Sequence, residues 1–188
     1  MEINNKNVYI IGPSNACVSN LWKYGSITEE DYSTYVSNIA NIVNDNCSSV
    51  GCIPDTSVPY DIVKQISLLP NKKIKTIGFY PKYGDYTSIK DKADEVDEMR
   101  EVDGGWAVMN TEISKQFDII ICCGLSGGVF SEIAHTKIHR IWGKKDIPIL
   151  IDERTISGPL NAELEADTNI KYFSSDEELY ELLNSKGV

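Results

Sequence analysis

The sequence predicts one α/β domain over residues 1–188: a doubly wound, mainly parallel Rossmann-like sheet with helices on both faces. Two observations point there. Short apolar runs of strand length recur along the chain, each followed by a stretch long enough for a helix. These runs are continuously apolar rather than alternating, as in FDIIICC and IPILI, which is the pattern of strands covered on both faces. Strands that alternate with helices build a parallel sheet whose right-handed crossovers place helices on either side.

The strands fall at Val8 to Gly12, Val50 to Ile53, Thr76 to Tyr80, Asp118 to Cys123, Ile147 to Ile151 and Ile170 to Phe173. Between the first two, Tyr32, Val36, Ile39 and Val43 stand at helical spacing. Ser57, with Pro59 soon after, starts a second helix near Asp61 to Leu69. A third runs from Trp106 to Gln116 and a fourth from Gly128 to Trp142, while Ser175 and Glu178 form a capping box ahead of a fifth. On the fourth helix, Phe130, Ala134, Ile138 and Ile141 read as the core-facing stripe, opposite a polar stripe of Glu132, His135 and His139. The polar segment from Lys82 to Gly105 is longer than a usual connection and reads as a solvated helix face. Its alternative reading is a flap over a ligand site at the end of the third strand, hinged at Gly104 and Gly105 before Trp106.

Composition narrows the function. With 188 residues, 41% hydrophobic and 24% charged, the chain is neither disordered, fibrous nor a coiled coil. A chain of this length buries roughly 70% of its unfolded surface, so no disulfide or structural metal is needed to hold a core. Its five cysteines include no CxxC pair and read as reduced, mostly buried thiols of a cytoplasmic protein. The start, MEINNKNVYIIG, lacks the basic region of a signal peptide, and no run reaches the length of a membrane span. A formal net charge of −10 argues against nucleic acid or an anionic membrane as the main partner. An anionic ligand must then be held by backbone amides and a few placed donors.

In an open parallel sheet such ligands bind beyond the carboxyl ends of the strands, where the strand order reverses. The loops to inspect are Gly12 to Cys17, Pro54 to Ser57, Pro81 onward, Gly124 to Gly128, and Asp152 to Gly158. The strongest signal is DIIICCGLSGGVFSEIA, a buried strand that passes through a glycine-rich turn directly into a helix. Gly124, Ser126, Gly127, Gly128 and Val129 are the candidate phosphate cradle, because glycines let backbone approach a ligand and the amides of a helix start favour an anion. The plain alternative is a tight turn that needs glycine for positive φ. Gly12, Pro13, Ser14 and Asn15 offer a second polar cup, with Gly12 and Ser14 as candidate ligand contacts. No GxGxxG occurs, so a nicotinamide dinucleotide is not supported.

Gly124, Ser126 and Gly128 also spell G-x-S-x-G, the pattern of a nucleophile elbow, which makes a serine hydrolase using Ser126 a rival reading. It needs a base, yet the two histidines lie on the helix that starts at the turn, with His135 roughly 12 Å along the axis. Asp152 could serve as an acid, but no histidine follows it. Glu132, His135 and His139 share a stripe without a further histidine to complete a metal site, so no metal is expected. Glu132 lies in the first turn of its helix, placed to meet the sugar of a nucleotide whose phosphate sits on the cradle.

Strand, glycine turn and helix, with Gly128 and Glu132 four residues apart, resemble the P-G-G-x-G-T-x-x-E motif of the Lonely Guy type phosphoribohydrolases, once called lysine decarboxylase-like proteins. The order of elements matches over most of the chain, with VYIIGPS, KTIGFYP and IPILI resembling the corresponding strands. The resemblance implies a Rossmann-like homodimer that binds a nucleoside 5′-monophosphate, and a glutamate, here Glu132, that cleaves base from ribose with help from an upstream arginine. The motif is kept at Gly128 and Glu132, replaced at Gly124, Leu125, Ser126 and Val129, and Met109 or Asn110 stands where the arginine belongs. Asn110 is therefore a candidate ligand contact, and a lone carboxylate without a cation handles developing charge poorly. The sequence favours binding over catalysis: a nucleotide or other phosphorylated small molecule held at the loop 124–128, with N-glycosidic hydrolysis as an accompanying activity and a non-catalytic sensor or carrier as the alternative.

Overall fold

A computed structural model of the chain describes residues 6–14, 17–143 and 145–185. Seven parallel strands form one sheet: β1 (Asn7–Ile11), β2 (Ser49–Cys52), β3 (Lys75–Pro81), β4 (Glu98–Val102), β5 (Ile119–Cys122), β6 (Pro148–Asp152) and β7 (Asn169–Phe173). Their order across the sheet is β4-β3-β2-β1-β5-β6-β7. The chain thus winds outward from β1 in one direction and, after β4, returns to β5 on the other side, so the order reverses between β1 and β5. Val8 is in register with Ile119 and Ile11 with Cys122 across that junction.

The helices are α1 (Asn20–Tyr24), α2 (Tyr32–Asn46), α3 (Val58–Leu68), α4 (Thr87–Lys90), α5 (Trp106–Ser114), α6 (Gly127–Trp142), α7 (Ala162–Asp167) and α8 (Asp176–Asn184). Because side chains alternate along a strand, each strand feeds both faces. Val8, Ile10, Val50, Ile119 and Ile121 meet the inner residues of α2, α3 and α8 on one side. Tyr9, Ile11, Phe79, Ile120 and Ile149 meet those of α5 and α6 on the other. Ser57 caps α3, its hydroxyl accepting from the Tyr60 amide, with proline in the first turn. The capping box of α8 is displaced by one residue: Ser175 accepts from the Glu178 amide, while the Glu178 carboxylate takes the amide of Ser174.

Two expectations are corrected. The segment from 82 to 105 is not one solvated helix face, and it is not a free flap. It holds α4, a short 3-10 turn at Ala93–Glu95, and β4 on the edge of the sheet. Its ends are tied together, with Lys82 N–H donating to Val102 O and Tyr83 N–H to Gly104 O. On β4, Glu98, Arg100 and Glu101 stand at the edge of the sheet, where Lys75 and Arg100 both pair with Glu98, while Val102 is buried in the core. The second correction concerns α6. Its inward face carries Val129, Glu132, Ile133, Thr136 and His139, whereas Phe130, Ile138, Ile141 and Trp142 are 42%, 45%, 56% and 81% exposed. The stripe read as core-facing is the outer one.

Candidate functional site

A cavity of about 360 Å³ opens where the strand order reverses, beyond the carboxyl ends of β1, β2 and β5. Of the residues singled out from the sequence, Gly12, Ser14, Asn110, Ser126, Gly127, Gly128, Val129 and Glu132 line it. Tyr9, Cys17, Asp55, Ser57 and Trp106 line it as well. Gly124 does not; it is buried in the turn before α6. Asn15 lies outside the described residues.

The three glycines after β5 have separate reasons. Gly124 has φ of +117°, and a Cβ there would come within 3.0 Å of Pro13 Cδ and 3.1 Å of Leu21 Cδ1. It makes the turn, in agreement with the plain structural reading of this loop. Gly127 and Gly128 are the first two helical residues of α6, and a Cβ on either would point into open space, nothing approaching closer than Ser126 Oγ at 3.8 Å from Gly128. Their amides have no protein acceptor among the described residues, whereas Val129 N–H goes to Ser126 Oγ and Phe130 N–H to Ser126 O. Two donors at the positive end of a helix of 16 residues are thus left to the cavity.

Below them sits Glu132, 7% exposed. Its Oε1 accepts from the Tyr9 hydroxyl at 2.7 Å, and Oε2 has no protein partner among the described residues. Burial pushes its carboxyl up to about 7; the Tyr9 bond works against that rise and the charge of Asp55 adds to it. Tyr9 is itself fixed by stacking on Phe117, ring centroids 5.5 Å apart, and burial raises its phenol well above the usual range. Asp55, in the loop after β2, is also raised by burial, against which the Ser57 hydroxyl and the charge of Lys92 act. Asn110 Oδ1 is buried without a partner.

Among the described residues, no lysine, arginine or histidine lines the cavity. Arg100 is turned to the Glu98 carboxylate and Gln116 on the edge of the sheet. Ser126 is a helix cap with extended φ of −151°, not a strained elbow. Neither histidine bonds to it: His139 Nε2 is 2.8 Å from Ser114 Oγ, and His135 Nδ1 is buried without a partner. Asp152, the candidate acid, is held by one edge of the Arg154 guanidinium, Nε donating to Oδ1 and Nη2 to Oδ2. Among the described residues no group of three or more histidine, cysteine or acidic side chains is placed to hold a metal ion. None of their helices is long and apolar enough to cross a membrane.

Tyr9 and Asp55 are the site residues that sequence reasoning missed. In the sequence the loop from Pro54 to Ser57 stands out only by its position after a strand, and Tyr9 sits inside an apolar run where a phenol reads as core.

Fold and cavity together define an α/β protein of the Rossmann-like kind, with a polar recess at the topological switch point. Solved structures share that fold. The molybdenum cofactor binding protein from Rippkaea orientalis superposes with a TM-score of 0.63 at 16% identity, covering 100% of both chains. The molybdenum cofactor carrier protein from Chlamydomonas reinhardtii superposes with a TM-score of 0.59 at 14% identity, covering 95% of this chain and 98% of its own. No protein-family model matches the chain, and no curated protein matches it in sequence.

Proposed function

We infer that the chain binds a phosphorylated small molecule at the switch-point cavity and acts as a carrier or sensor. The carrying observation is the pair of Gly127 and Gly128 amides, free of protein acceptors, at the mouth of a cavity that also holds a buried carboxylate. Backbone donors at a helix start suit a phosphate and need no basic side chain. That agrees with a cavity lined by none and a chain whose formal net charge is −10. The structural neighbours described as binding or carrying the molybdenum cofactor favour carriage over turnover, and make that cofactor one ligand to test beside nucleoside monophosphates.

The second reading is N-glycosidic hydrolysis at Glu132. A carboxyl at about 7 is half protonated near neutral pH and could move a proton. With no cation among the described residues that line the cavity, charge on the departing base and phosphate has no counterpart, so this reading ranks below binding. A serine hydrolase ranks lower still, since the Ser126 hydroxyl caps α6. Thermal-shift titration with nucleoside monophosphates and the molybdenum cofactor, followed by base-release assays, separates them. Stabilisation without base release selects the carrier; base release abolished in Glu132→Gln selects the hydrolase.

The exposed apolar stripe of α6 supports a homodimer. Under two-fold symmetry a stripe on one helix packs on its own copy, covering Phe130, Ile138, Ile141 and Trp142 on both sides.

A further inference from the structure

The cavity is polar in a directional way. Its unpartnered donors are the amides of Gly127 and Gly128 after β5. Its acceptors are the Glu132 Oε2, the buried and unpartnered Asn110 Oδ1, and the carboxylate of Asp55 after β2. With β1 between β5 and β2, and neighbouring strands about 4.8 Å apart, the strands that lead to Asp55 and to the free amides lie roughly 10 Å from each other. Lys92, the cation that acts on Asp55, is not in the cavity lining; it donates to Thr56 Oγ1 at 3.0 Å and lies over the Tyr60 ring. A ligand that reaches both ends must therefore carry an anion at one and hydrogen-bond donors at the other.

Resting on the phosphate-binding reading above, we propose that Asp55 is a specificity residue that selects a ligand with an amino-pyrimidinone ring, the edge found in guanine and pterins, over adenine. A carboxylate offers two acceptor oxygens side by side and no donor, and since each oxygen has two lone pairs, the bond from the Ser57 hydroxyl leaves both able to accept from a ligand. The amino-pyrimidinone edge presents a ring N–H next to an exocyclic amino group, so both oxygens are used. The corresponding adenine edge pairs an amino donor with a ring nitrogen acceptor, which sets a lone pair against the second oxygen. Acceptors inside a cavity discriminate in such cases because the wrong ligand displaces their water and leaves one of them unpaired. Trp106 in the same lining supplies an aromatic surface for a flat ring.

The test is calorimetric titration of the whole chain with guanosine 5′-monophosphate, adenosine 5′-monophosphate and ribose 5-phosphate, in wild type, Asp55→Asn and Asp55→Ala. In wild type the guanine nucleotide binds at least tenfold tighter than the adenine nucleotide. Asp55→Asn, which offers one acceptor and one donor, reverses that preference, and Asp55→Ala brings the two within about threefold. Ribose 5-phosphate binds all three proteins alike. Equal affinity for both nucleotides in wild type, or a ratio unchanged in both variants, overturns the assignment of Asp55 while leaving phosphate binding intact. Failure of all three ligands to bind wild type overturns the phosphate reading and this proposal with it.

Discussion

Tyr9 on β1 donates its hydroxyl to Glu132 on α6 at 2.7 Å, a bond that joins the two elements on either side of the cavity floor. Glu132 carries a proton about half the time near neutral pH because it is buried, and Tyr9 is the donor that keeps it from rising further. In Tyr9→Phe the carboxylate loses that donor while remaining buried, so urea unfolding at pH 8 should show a loss of about 1 to 3 kcal/mol. An unchanged midpoint would mean the bond contributes nothing.

The same group makes stability depend on pH. Folding raises the Glu132 carboxyl from 4.5 to about 7, so the native state holds the proton more tightly than the unfolded chain. The favourable contribution is complete below pH 4.5 and is lost as pH rises through 7, a change of roughly 3 kcal/mol. Glu132→Gln removes this slope. The variant and wild type should differ little at pH 5, and the variant should be the more stable at pH 8 by about 2 kcal/mol, since the amide still accepts from Tyr9. Parallel pH dependence of the two proteins would contradict the assignment.

Gly128→Asp places a carboxylate where the cradle holds its anion. A Cβ at this position meets nothing closer than 3.8 Å, and an acidic residue suits the first turn of a helix, so the variant folds. Thermal shift with a nucleoside monophosphate should fall from several degrees in wild type to none. A full shift in the variant would remove the cradle from the site.

Arg154 binds both oxygens of Asp152, which is 0% exposed, and reaches Asp176 at 2.8 Å. In Arg154→Met the Asp152 charge stays buried without its counter-ion, which costs about 3 to 5 kcal/mol. Chemical denaturation measures it; a loss below 1 kcal/mol would show that Asp152 finds another partner.

Ile138→Asp puts a charge in the middle of the outer stripe of α6. Sedimentation should give a dimer for wild type and a monomer for this variant, with an unchanged circular dichroism spectrum. A wild-type monomer would leave the stripe without the proposed role.

The apolar runs in the sequence locate six of the seven strands: five are inner strands covered on both faces, and the edge strand β7 keeps enough apolar residues in Ile170, Tyr172 and Phe173 to be read. The edge strand β4, EMREV, escapes that signal: one side of it is solvated, and Glu98 and Arg100 are paired with each other there. On α6 the periodicity is real but its direction is ambiguous. The inner face is shared between apolar Val129 and Ile133 and polar Glu132, Thr136 and His139, so the more uniformly apolar face is the outer one. Glycine spacing makes the cradle visible from the sequence, whereas Tyr9 and Asp55 reach Glu132 only through the placement of β1 between β2 and β5.

If the Gly127 and Gly128 amides receive a phosphate, amide-resolved NMR during titration with guanosine 5′-monophosphate will show it. These two N–H resonances should move downfield more than any others, and the shift should be absent in Gly128→Asp. Resonances of Gly127 and Gly128 that stay in place while the nucleotide binds elsewhere would contradict it.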